Sequence, residues 1–212
     1  MSKYISLELA SRQLADRLLD EAEGYSLKKD KAEAGVRKKA LSLLRKTGIR
    51  YREKTPPTVG ANWTGTFAAI GGLEATDVLH ELAHYQCSPP KWRRYPEFGL
   101  GMGPDVGLDQ AMPGGNLRES DYGTDSPTEE EERASLLGIM WERHLGLESW
   151  AHTIEYHNWI NLIPAWSGGD PVPQFVWLMR TGLLTTEGEP VLALRTKRKA
   201  PYREWGNKNE TV

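Results

Sequence analysis

Residues 80–84 read His80-Glu81-Leu82-Ala83-His84. A helix turns about 100° and rises about 1.5 Å per residue, so residues four apart stack on one face. On a helix, His80 and His84 can therefore hold one metal ion between their imidazoles. Glu81 projects beside them, within reach of a water on that metal. Two imidazoles and an adjacent carboxylate are the working parts of zinc-assisted hydrolysis.

The surrounding residues must place this trio. Thr76–Gln86 reads as helix, with Val78, Leu79, Leu82 and Ala83 giving it an apolar face to pack while the two His face a cleft. Ser88-Pro89-Pro90 stops it. Trp63–Ile70 reads as one short strand, followed by a Gly71-Gly72 turn. The chain has only five His, so a surface accident at this spacing is less expected than in a His-rich protein. Strand, turn and metal-binding helix in this order resemble the zincin metallopeptidase superfamily.

A catalytic zinc site uses three protein ligands and keeps one position open. Tyr85, Gln86, Cys87, Ser88, Pro89 and Pro90 follow the motif without the Gly and third His that the metzincin branch needs. A second helix over 127–146 opens with Pro127 and Thr128 and carries acids in its first turn, as the helix dipole favours. Its apolar stripe is Ala134, Leu137, Gly138, Trp141 and Leu145. Projected backward, that stripe lands on Glu131 and Glu130, with Glu129 and Glu132 further off it. On the residues alone, either of the first two serves. Several gluzincin-like families show a ligand Glu followed three residues later by Ala. That resemblance implies Glu131, followed by Ala134, with Glu130 next. The other acids read as a solvated helix start. Gly123-Thr124-Asp125 comes near an aspzincin pattern but is one residue short, so Asp125 ranks third. Cys87 reads as a small buried hydrophobe, and Asp77 as an acid of the helix start.

At 212 residues the chain can bury one good core, or one core with a small appendage. Its 39% hydrophobic and 26% charged residues are those of a soluble globular protein. A single Cys excludes an internal disulfide framework and fits a reducing compartment. No apolar run is long enough for a membrane span, and Met1–Glu8 lacks a stretch of signal type, so cytoplasmic residence without membrane attachment is expected. Net charge is −2, unevenly spread: residues 1–54 carry 14 Lys/Arg against 8 Asp/Glu. Arg195, Lys197, Arg198, Lys199 and Arg203 read as a solubilising basic end. No helix-turn-helix, phosphate loop or finger-type Cys/His spacing is present, and nucleic acid is not expected as a partner.

Helices are expected over 6–23 and 31–46, then a short strand at Ile49–Arg52. Residues 88–126 form a Pro/Gly-rich segment with Arg93, Arg94, Tyr95 and Phe98, read as a lid or substrate wall, with a packed surface loop the equal alternative. A helix over 147–160 carries His152, Tyr156, His157 and Trp159. Zinc peptidases use a His or Tyr to stabilise an oxyanion, so the resemblance implies Tyr156 and His157 as catalytic candidates, with plain packing the alternative. A helix at 174–184, a turn over Thr185–Pro190 and a terminal strand at Val191–Leu194 complete the chain. Three regions result: an N-terminal helical region at 1–54, a core at 55–165 and a C-terminal extension at 166–212.

The expected fold is α+β: a mostly helical, compact zincin of gluzincin type, its small sheet packed against the HExxH helix. The resemblance implies zinc on His80, His84 and Glu131, proton transfer by Glu81, and hydrolysis of a peptide or protein substrate whose extended backbone pairs with the strand at 63–70. The alternatives are a non-catalytic zincin-like interaction or sensor domain, a hydrolase of a non-peptide amide, and an interaction module without metal. Nothing in the residues points to an oligomeric state.

Overall fold

A computed structural model describes residues 6–24, 33–53, 61–90, 93, 127–147 and 170–195. Within them are five helices and a very small sheet: α1 (Leu7–Gly24), α2 (Glu33–Lys46), β1 (Tyr51–Arg52), β2 (Asn62–Trp63), β3 (Ala68–Ala69), α3 (Ala75–Cys87), α4 (Pro127–Leu145) and α5 (Val172–Arg180). The described residues are thus mostly helical with a minor β component. The strand order is β1–β3–β2, with β1 parallel and β2 antiparallel to β3. None of the described helices is long and apolar enough to cross a membrane.

Helix α3 carries the HExxH residues and lies between α2 and α4, while α1 and α4 both pack on α5. Its inner face is Val78, Leu79, Leu82 and Ala83, all fully buried. These join Leu18, Leu44, Ile70, Leu136, Leu137, Met140, Phe175 and Leu178 in one apolar cluster. Both ends of α3 are secured. At its start, Glu74 is extended and forms a reciprocal capping box with Asp77, whose Oδ2 accepts the Glu74 N–H at 3.1 Å. Asp77 therefore has the helix-start role expected of it. At the other end, Ser88 leaves the helix at φ −59°, ψ 139°, the extended region that a residue before proline favours.

Three expectations are corrected. Trp63–Ile70 is not one strand but a hairpin, β2–turn–β3. The Thr64 N–H donates to Phe67 O at 3.0 Å, the Thr64 hydroxyl collects the Thr66 and Phe67 N–H groups, and Gly65 adopts φ +84°. A glycine enters that region without steric cost, and this turns the chain. The C-terminal helix runs Val172–Arg180 rather than 174–184, because Thr181-Gly182 closes it with Gly182 at φ +74°. Val191–Leu194 forms no strand: a lone bridge joins Leu184 to Pro190, and the following carbonyls turn to a side chain of α3.

Helix α4 is buried on more sides than one stripe predicts. Leu136, Ile139 and Met140 are enclosed along with Leu137 and Trp141, since α3 covers one face and α5 another. Glu132, placed off the stripe by its spacing, is 2% exposed and accepts Gln174 Nε2 at 2.6 Å. Of the 88–126 segment only Ser88–Pro90 and Arg93 fall among the described residues, and the expected helix at 147–160 contributes only Leu147.

Candidate metal centre

One turn of helix separates His80 from His84, and α4 brings Glu131 across from α3. His80 Nε2 lies 3.0 Å from His84 Nε2, with the two rings nearly perpendicular at 82°. Glu131 Oε1 lies 3.3 Å from His80 Nε2, and Glu131 Oε2 lies 3.1 Å from His84 Nε2. A tetrahedral zinc with bonds of about 2 Å sets its ligand atoms about 3.3 Å apart. Separations of 3.0–3.3 Å among two imidazole nitrogens and a carboxylate therefore fit one shared cation. His80, His84 and Glu131 form a group able to hold a metal ion.

Exposure decides where such a site opens. The His84 side chain is 5% exposed, whereas those of His80 and Glu131 are each 35% exposed. One ligand anchors the site to the core and two border solvent, which leaves an approach for a further ligand on the outer side.

The electrostatics follow from burial and proximity. Burial disfavours the charge on both partners. For Glu131, the charge of His84 and hydrogen bonds from both imidazoles outweigh burial and hold the carboxyl well below its ordinary range. For His84, burial lowers the pKa, but the Glu131 carboxylate overrides it and pushes the imidazole up to about 9. The two are thus prepared to meet as ions. Ser135 sits one turn after Glu131 and donates its hydroxyl to Glu131 Oε1 at 3.4 Å. Among the described residues, the buried His84 Nδ1 has no hydrogen-bond partner of the carboxylate or carbonyl kind that commonly orients a ligand imidazole.

Glu81 adjoins the trio. Burial raises its pKa, opposed by the two imidazoles, and its carboxylate accepts a hydrogen bond from the backbone N–H of Ala61. Ala61 immediately precedes β2, so the chain entering the sheet edge meets Glu81.

The C-terminal end of α3 is tied down by side chains that pattern reading did not single out. Gln86 is fully buried. Its Nε2 donates to Val191 O at 2.9 Å and Ala193 O at 2.7 Å, and its Oε1 accepts Trp141 Nε1 at 2.8 Å. Arg93 donates to Tyr85 O at 2.9 Å and to Arg195 O at 2.9 Å, satisfying a helix-end carbonyl, while its own carbonyl accepts Trp63 Nε1 at 2.8 Å. Sheet edge, α3 and the C-terminal segment are thereby fastened together at Arg93, a residue of the expected lid segment.

Among the remaining candidates, Glu130 lies outside the trio; it accepts the Ser88 hydroxyl at 2.9 Å. Cys87 is buried, and burial pushes its thiol far up, which suits a neutral core side chain rather than a thiolate. Asp125, Tyr156 and His157 lie outside the described residues. Sequence reasoning missed Ser135 and Ala61. Ser135 was findable as the i+4 neighbour of Glu131. Ala61 carries no local signal, because only its backbone acts. No protein-family model, no curated protein and no solved structure matches this chain.

Proposed function

We propose that this chain is a zinc-dependent hydrolase of peptide bonds, built as a compact zincin of gluzincin type. The observation that carries the reading is the convergence of His80, His84 and Glu131 on one point, with Glu81 fixed next to them by the Ala61 N–H. When bound, zinc supplies Lewis acidity, polarising a carbonyl and acidifying water. His80, His84 and Glu131 would hold it. Glu81 accepts the proton of the attacking water and returns it to the leaving amine. Burial raises its pKa above the ordinary carboxyl value, the direction that makes a carboxylate a stronger base. The antiparallel edge strand β2 lies beside Glu81, and a strand edge suits an extended peptide backbone.

Two imidazoles and one carboxylate are also the ligand set of iron oxygenases. A carboxylate held against the site, with no ligand role in the trio, favours hydrolysis, since a purely oxidative or structural centre has no use for a base there. The test is hydrolysis of a quenched-fluorescent peptide mixture by zinc-loaded protein. Wild type should cleave, and Glu81→Gln should keep its metal and lose cleavage. Equal cleavage by both proteins would refute the role given to Glu81.

A further inference from the structure

Gly138 stands in the middle of α4, where alanine is the better helix former, so its presence calls for a packing reason. A Cβ built on Gly138 would lie 3.3 Å from His80 Cα, 3.6 Å from His80 N and 3.8 Å from His80 Cβ. The nearest of these atoms is helix backbone, which cannot swing aside as the end of a side chain can. Gly138 thus marks a close approach of α4 to α3, and it does so at a candidate metal-ligand residue. Glu131 lies two helical turns earlier on the same face of α4, so any outward shift of that helix carries the carboxylate with it.

We infer that Gly138 is a positioning residue for the metal centre: its missing side chain sets the α3–α4 separation at which Glu131 meets His80 and His84. The inference rests on the metal reading above. The magnitudes support it. A methyl group at Gly138 forces a displacement of a few tenths of an ångström. Metal–ligand bonds tolerate deviations of only about 0.2 Å. The same shift is small for apolar packing, which can re-close around it. The site and the fold therefore respond differently to one methyl group.

The experiment is Gly138→Ala in the full chain, read by zinc affinity in competition with a chelator, by the visible spectrum of the cobalt(II)-substituted protein, and by thermal melting. Gly35→Ala is the control, because Gly35 is exposed in α2 and its added Cβ meets nothing within 4 Å. Gly138→Ala should weaken zinc binding about tenfold or more and alter the cobalt(II) bands while the protein stays folded. Gly35→Ala should change neither. Zinc affinity in Gly138→Ala within about twofold of wild type, with an unchanged cobalt(II) spectrum, would overturn the inference. Loss of fold in Gly138→Ala would overturn it too, since the contact would then be structural rather than tuned to the site. Absence of zinc binding by wild type is a different result, and it refutes the metal reading itself.

Discussion

Glu131 Oε2 lies 3.1 Å from His84 Nε2, although the two residues belong to different helices and a long Pro/Gly-rich segment separates them in the chain. A buried imidazole and a carboxylate at this distance stabilise each other's charge, and a cation would compete with the imidazole proton for the same atoms. Their titration gives the first prediction.

Burial lowers the His84 pKa, but the Glu131 carboxylate overrides it and puts it at about 9, up from 6.5. A raised His pKa adds stability that is complete below 6.5 and is lost as pH climbs through about 9. The Glu131 pKa is depressed despite burial, so its contribution is present above the ordinary carboxyl range and is lost only in acid. Protein stripped of metal by chelation should thus be most stable near pH 5–6.5 and lose on the order of 1–3 kcal/mol toward pH 9. Zinc requires the deprotonated imidazole, so zinc affinity should rise over the same interval. Melting curves and chelator competition at stepped pH would check both, and a stability that climbs from pH 6.5 to 9 would count against the pair.

Gln86 uses its whole amide: two donations to Val191 O and Ala193 O, and one acceptance from Trp141 Nε1. Gln86→Leu fills similar volume but strands these partners in the core. An unsatisfied buried polar group costs about 1–3 kcal/mol. Urea unfolding of Gln86→Leu should show a loss of roughly 2–4 kcal/mol. An unchanged midpoint would mean that the C-terminal segment is not held by this side chain.

The backbone hydrogen bond from Ala61 to Glu81 can be removed without touching either imidazole. Ala61→Pro deletes the N–H, and Ala61→Gly keeps it. Misplacing a catalytic group by about 1 Å costs ~10²-fold in rate. On the proposed reading, Ala61→Pro lowers kcat by about that factor with zinc content intact, and Ala61→Gly stays near wild type. Equal kcat in the two variants would remove Ala61 from the account.

The candidate site was largely legible in the sequence because helical periodicity alone stacks His80 on His84, and the apolar stripe of α4 aims back at Glu131. The choice between Glu130 and Glu131 needed more than periodicity; the structure separates them, with Ser88 taking Glu130 and both imidazoles meeting Glu131. The helices α1, α2, α3 and α4 follow the expected spans to within two residues. Other features were decided by partners distant in the chain. Glu132 is buried because α5 covers a second face of α4, which no local pattern in α4 announces. Val191–Leu194 has strand-forming residues, yet its carbonyls are claimed by Gln86. The hairpin at Thr64–Phe67 was hidden by reading β-prone residues on both sides of Gly65 as continuous.

The central claim is that His80, His84 and Glu131 hold one zinc ion. The most direct measurement is metal per chain, by elemental analysis after zinc reconstitution and desalting, for wild type, Glu131→Ala and Glu130→Ala. The account predicts close to one zinc per chain in wild type and Glu130→Ala, and near none in Glu131→Ala. Retention of zinc by Glu131→Ala, or no zinc in the wild type, would contradict it.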